Sequence, residues 1–240
     1  MKVIKTQNYE TLSKEAAKIF IEIIKKNDKA VLGLATGSTP VGMYKELIEA
    51  NKNGLDFSKV TTFNLDEYIG LSKDHDQSYD YFMHDNLFNH VNIPEENIHL
   101  PKGDGENPEE DAKKYENMLK ESGGVDIQVL GIGVNGHIAF NEPAEELKVE
   151  TNIVNLTEST IEANARFFNS EKDVPTKAIT MGMGSIFSAK KILLLISGEN
   201  KKEAADYILR SGKIKTECPA SLLHLHPDVT VIIDKEAFGE

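Results

Sequence analysis

The chain has 240 residues, 40% hydrophobic and 28% charged with no tryptophan; that is the make-up of a folded globular protein, long enough for one α/β core, and it is read as a single domain over 1–240. The formal net charge of -12 argues against nucleic acid and anionic membranes as partners, since both select a basic surface. A lone cysteine, Cys218, cannot close an internal disulfide, no apolar run nears the roughly 20 residues of a membrane helix, and the N-terminal MKVIKTQNYE has no signal-peptide centre, so a cytoplasmic protein is expected.

In chain order, Leu12, Ala16, Ile19, Phe20, Ile23 and Ile24 recur at helical spacing and predict an amphipathic helix over 10–27. The first strand follows at 30–35. After TGSTP, with Pro40 suited to a first helical turn, residues 41–50 read as a helix, giving a strand, loop, helix unit. A second strand is expected at 60–65, and helices at 78–91 and 109–121. Further strand candidates are 126–132, 153–156, 178–181, 192–197 and 229–233, with a helix over 201–209. Short apolar runs alternating with helices predict an α/β fold whose mostly parallel central sheet is covered on both faces, with ligands collected at the strand carboxyl ends. Residues 101–107, PKGDGEN, and the charged 168–176 read as surface loops, the second a candidate lid.

Three segments at such strand ends carry chemistry. In LGLATGSTP (32–40), Gly37 lets the backbone approach a ligand, while Ser38 and Thr39 offer hydroxyls beside free amides at a helix start; this suits a phosphate dianion, although an ordinary N-capped turn uses the same residues. The Gly-Lys-Ser/Thr ending of a nucleotide-hydrolysing loop is missing. GIGVNG (131–136) formally matches the dinucleotide fingerprint, but HIAFNEP follows where a helix must begin, so the glycines are expected to form a tight turn presenting Asn135, His137 and Glu142. His137 can move protons near neutral pH if Glu142 or Asn135 fixes its tautomer. In FNLDEY (63–68), Asp66 and Glu67 point opposite ways at a strand end, so one of them faces the site, where shielding would raise its pKa and make it a base for a carbon-bound proton. Among the other histidines only the His224-x-His226 pair is close in sequence, and no acid cluster completes a ligand set with Cys218, so no metal is expected. Lys201, opening a helix just after KILLLIS, can meet a phosphate, although a surface lysine explains it as simply.

Taken in order, LGLATGSTP, FNLDEYIGL, SYDYFMHDNLF, LGIGVNGHIAFNEP, ARFF and SGENK resemble the glucosamine-6-phosphate deaminase (glucosamine-6-phosphate isomerase) family over essentially the whole chain. The resemblance implies a Rossmann-like, three-layer α/β fold, no redox cofactor and no required metal. It implies conversion of D-glucosamine 6-phosphate and water to D-fructose 6-phosphate and ammonia, in amino sugar catabolism. Asp66 is then the base that moves the C2 proton, His137 assists ring opening, and Glu142 with Asn135 orients His137. Many relatives carry Asp at the position of Asn135, so here the orienting charge rests mainly on Glu142. Phosphate contacts are implied for Gly37, Ser38, Thr39, Arg166 and Lys201. Activated relatives hold N-acetylglucosamine 6-phosphate with Ser, Arg and Lys; the aligned Glu145, Asn152 and Val154 would bind a phosphate poorly, so little activation is expected. With the acidic surface this favours a monomer over a homo-oligomer, both of which stay open. Two rivals share the fold. 6-Phosphogluconolactonase needs no carbon-acid base, and a sugar-phosphate sensor of a transcription regulator would need a DNA-binding module that an acidic chain does not suggest.

Overall fold

The computed structural model describes residues 1–165, 168, 170 and 173–240. An edge strand, β1 (Lys2–Thr6), precedes helix α1 (Tyr9–Lys26), strand β2 (Val31–Leu34) and helix α2 (Ser38–Lys52). Strands β3 (Thr61–Asn64) and β4 (Asp66–Tyr68), helix α3 (Tyr79–Asn86), the short β5 (Ile98–His99), α4 (Pro108–Glu121) and β6 (Ile127–Leu130) follow. The second half contains β7 (Asn152–Asn155), α5 (Glu158–Ala165), β8 (Lys177–Thr180), α6 (Met183–Phe187), β9 (Ile192–Ile196), α7 (Lys202–Arg210), β10 (Val229–Asp234) and α8 (Lys235–Phe238).

Seven strands form one sheet in the order β1, β10, β9, β6, β2, β3, β5, and every pairing in it is parallel. Its middle strands are buried along their whole length and mostly apolar, as ILLLI in β9 and VTVIID in β10 illustrate. Such runs need cover on both faces, because no residue is left to face water. Helices α1 and α2 pack together and lie against β9 and β10, while Tyr115 of α4 reaches β3, its hydroxyl donating to the Asn64 carbonyl at 2.6 Å. The fold is thus the expected α/β arrangement of a mostly parallel sheet with flanking helices.

Two features depart from expectation. β1 lies outside the predicted strands, because KVIKT interleaves lysines with its apolar residues and sits half exposed at the sheet edge, whereas buried parallel strands read as continuous apolar runs. The expected strand at 60–65 ends at Asn64, and after Leu65 the chain enters a second, three-stranded sheet ordered β4, β8, β7, with antiparallel pairing throughout. The strands expected at 153–156 and 178–181 therefore form β7 and β8 of this small sheet and not part of the large one. The break at Leu65 makes Asp66 the first residue of β4.

Candidate active site

Four neighbouring strands deliver the sequence motifs to one edge of the large sheet. In the order β9, β6, β2, β3, their carboxyl ends carry SGENK, GIGVNGHIAFNEP, TGSTP and LDEY. Parallel strands lie about 4.8 Å apart, so the loops of β6 and β3 flank that of β2 within about 10 Å, the scale of one sugar phosphate. The strand order also turns at β2, with β3 on one side and β6 on the other, a crossover of the kind where open α/β sheets hold ligands.

At the β2 end, Gly37 is the N-cap of α2 with φ of 88°, a left-handed conformation natural to glycine. No side chain caps the helix, so its first amides have no capping side chain to satisfy them and sit at the positive end of the helix dipole. Ser38 is exposed and Thr39 half-buried; Pro40 falls in the first turn, where its missing N–H is harmless. Ser38 and Thr39 share the lining of a cavity of about 560 Å³ with Ser197, the residue that opens SGENK. Lys201 lies four residues on, at the start of α7, after a bend at Gly198 (φ 92°) whose amide is tied to Asp234. Glu10, Lys45 and Glu46 also line this hollow, and neither Asp66 nor His137 does. Arg166 lies outside the described residues.

The β6 loop is a turn and not a helix, as its glycines predict. Gly133 N–H donates to the His137 carbonyl at 3.0 Å and Gly136 N–H to the Gly133 carbonyl at 3.0 Å. Gly133 is needed for space: a Cβ there would lie 2.3 Å from the His137 ring. Asn135 braces the turn twice, its Oδ1 accepting from His137 N–H at 3.2 Å and its Nδ2 donating to Glu142 Oε2 at 2.8 Å. His137 Nδ1 lies 3.2 Å from the same Glu142 Oε2, within ion-pair distance but off the line of a formed hydrogen bond. Burial pushes the Glu142 carboxyl up, but the His137 imidazole, the Thr160 hydroxyl and the Asn135 amide outweigh it and hold the group down at about 2. Glu142 is therefore a fixed anion beside the imidazole.

Just past the β3 end, Asp66 is 6% exposed, and burial first, then the neighbouring Glu67 charge, push its carboxyl up to about 8. Its carboxylate takes no hydrogen bond from the described residues, so nothing local stabilises the charged form. Glu67, the other member of the pair, is committed elsewhere: its carboxylate accepts from Tyr68, Tyr79 and Asp80 amides at 2.8–2.9 Å and so caps α3. Burial still raises it to about 7 against those three bonds. Of the two acids, only Glu67 is taken up by backbone amides.

One stitch brings the acid and the imidazole loop together. Asp66 stands opposite Thr180 in the β4–β8 register, and the Thr180 hydroxyl accepts the amide of Phe140, three residues past His137, at 3.2 Å. Asn141 adds a bond from its side-chain amide to the Met181 carbonyl at 2.9 Å. Opposed Cα atoms in an antiparallel pair are about 5 Å apart, so the β6 loop docks one residue-width from Asp66.

The structure also extends the sequence reading. Within 133–136, Gly133 and Gly136 use their amides inside the turn, while the Val134 and Asn135 amides have no partner among the described residues. Thr160 was missed; its hydroxyl donates to Glu142 Oε1 at 2.6 Å and accepts from Thr157 at 3.0 Å. Nothing in sequence spacing links positions 142 and 160. His224 and His226 bond the Ile208 and Ala189 carbonyls through Nε2, roles in local structure. Among the described residues no group of three or more His, Cys, Asp or Glu is placed to hold a metal ion, and no helix is long and apolar enough to cross a membrane.

Comparison with known proteins places this geometry. The family model described as glucosamine-6-phosphate isomerases/6-phosphogluconolactonase matches residues 5–232. A glucosamine-6-phosphate deaminase of Thermoanaerobacter pseudethanolicus is 60% identical over 99% of this chain and 94% of its own length, and one from Clostridium perfringens is 58% identical over 99% and 98%. A solved structure described as a monomeric glucosamine-6-phosphate deaminase superposes with a TM-score of 0.97 at 49% identity, covering 100% of this chain and 99% of that one. The 6-phosphogluconolactonase from Trypanosoma cruzi shares the fold, with a TM-score of 0.81 at 22% identity. The matched span and the depth of identity show that the chain belongs to the glucosamine-6-phosphate isomerase/6-phosphogluconolactonase family.

Proposed function

We propose that this chain converts D-glucosamine 6-phosphate and water to D-fructose 6-phosphate and ammonia. The observation that carries the reading is a buried, uncompensated Asp66 beside the loop that bears His137. A proton on carbon next to a carbonyl needs a base of raised pKa, and a carboxyl at about 8 is one that stays reactive near neutrality. Lactone hydrolysis needs no carbon-acid base and gives Asp66 no role.

The phosphate is held by the α2 start at Gly37, Ser38 and Thr39, with Lys201 and Arg166 supplying charge. Gripping that non-reacting end orients C1 and C2 against the catalytic groups. His137 relays the proton from the anomeric hydroxyl to the ring oxygen and opens the sugar, held by the Glu142 anion and by Asn135. Asp66 takes the C2 proton as electrons move to the C1 oxygen, and the enolamine is reprotonated at C1. The resulting C2 imine takes up water and releases ammonia, leaving the ketose. The conversion is redox-neutral overall and calls for no electron carrier.

Glu145, Asn152 and Val154 offer no cation to a second phosphate, so we read the enzyme as unactivated by N-acetylglucosamine 6-phosphate. It acts as a monomer, a reading supported by the monomeric relative at 49% identity, and we place it in the cytoplasm, in keeping with its single free cysteine. Asp66→Asn tests the central role: ammonia release should fall about a thousandfold while glucosamine 6-phosphate still binds. Turnover within tenfold of wild type would remove Asp66 from the part of base.

A further inference from the structure

We infer that Tyr9, on a helix remote from the chemistry in sequence, is a positioning residue for the phosphate-binding turn. The inference rests on the reading of Gly37, Ser38 and Thr39 as the phosphate grip. Its origin is local. Asn8 caps α1 in a reciprocal box, accepting from Thr11 N–H at 3.0 Å and donating its own amide to Thr11 Oγ1 at 3.2 Å, which sets Tyr9 as the first residue of the helix.

One turn later Ser13, buried, meets Gly42 of α2 so closely that a Cβ at position 42 would lie 2.2 Å from Ser13 Oγ. That small-residue crossing brings the Tyr9 hydroxyl into the first turn of α2. There it donates to the Ser38 carbonyl at 2.9 Å and accepts from the Gly42 amide at 2.7 Å. Ser38 and Gly42 are an i, i+4 pair, so the phenol sits within the helix's own hydrogen-bond ladder. A side-chain group inserted in the ladder bends the turn locally, and this turn carries the amides proposed to hold phosphate. Tyr9, Ser38, Thr39 and Ser197 also line one cavity, with Glu10, Lys45 and Glu46, so the phenol lies on the α1-facing side of the turn.

An aromatic that merely covered the helix crossing would act through its ring. Tyr9→Phe keeps the ring and removes both bonds. The variant's KM for glucosamine 6-phosphate and its inhibition constant for inorganic phosphate should rise together by about three- to tenfold, as loss of a bonded hydroxyl gives. The kcat should stay within about twofold and the thermal midpoint within about 3 °C of wild type. Phosphate-induced stabilisation of the folded protein, followed as a shift of the midpoint, should weaken in parallel. KM and phosphate inhibition both within about 1.5-fold of wild type would overturn the inference, as would a fall in kcat with KM unchanged. If inorganic phosphate fails to compete with substrate in the wild-type enzyme, the phosphate grip itself is wrong and the inference falls with it.

Discussion

Replacing Asp66 by asparagine should stop turnover and yet make the folded protein more stable at neutral pH. Burial, followed by the Glu67 charge, takes this carboxyl from 3.8 to about 8, so its folded-state pKa lies above its unfolded one. Between those values the unfolded chain has released a proton that the folded chain keeps, and stability must fall as pH rises through the window. By pH 7 that is about three decades of proton activity at about 1.4 kcal/mol each, a ceiling of about 4 kcal/mol. Asparagine has nearly the same shape and no charge to suppress. Against the protonated acid at low pH it should be close to neutral, and against wild type at pH 7 it should gain about 2–4 kcal/mol. Urea unfolding of both proteins at several values from pH 5 to 7.5 reads the effect directly. The gap in favour of the variant should widen with pH. A constant gap, or one that narrows, would mean that Asp66 is ionised in the folded enzyme and that its burial has been misjudged.

Thr160→Val removes the 2.6 Å donor to Glu142 Oε1 while keeping the shape. Hydrogen bonds to charged groups contribute about 1.5–3 kcal/mol, reduced here because Glu142 is itself only half-buried, so kcat should drop about five- to twentyfold with KM within about twofold; an unchanged kcat would release Thr160 from the site. For regulation, the rate should depend hyperbolically on substrate with or without N-acetylglucosamine 6-phosphate, measured by ammonia release. A sigmoidal curve that this ligand abolishes would contradict the reading of Glu145, Asn152 and Val154.

The large sheet was legible because buried parallel strands announce themselves as unbroken apolar runs, as in KILLLIS, between helices of regular period. β1 was not, since an edge strand need bury only part of its surface and its lysines mask the pattern. The small antiparallel sheet was hidden for a different reason: β7, NIVN, and β8, KAIT, are short, and which sheet a strand joins is decided by long-range pairing. The motifs pointed to Asp66, His137 and Glu142 because glycines, an imidazole and acids cluster directly after apolar strand runs, where open α/β sheets collect ligands. Thr160 and Tyr9 left no such trace. Each is an ordinary helix residue whose importance comes from what the fold sets beside it, a carboxylate in one case and a helix turn in the other. Glu67 shows the same limit from the other side, for the sequence offered two adjacent acids and only the α3 amides decide which one is committed to capping.

The most direct test of the account is the crystal structure of the Asp66→Asn variant with intact glucosamine 6-phosphate bound. The account predicts one sugar spanning the crevice, its phosphate on the α2 start and Lys201, C2 against the side chain at position 66, and the ring oxygen facing His137. A phosphate held elsewhere, or a sugar that touches His137 while the side chain at position 66 lies in a separate cleft, would contradict it.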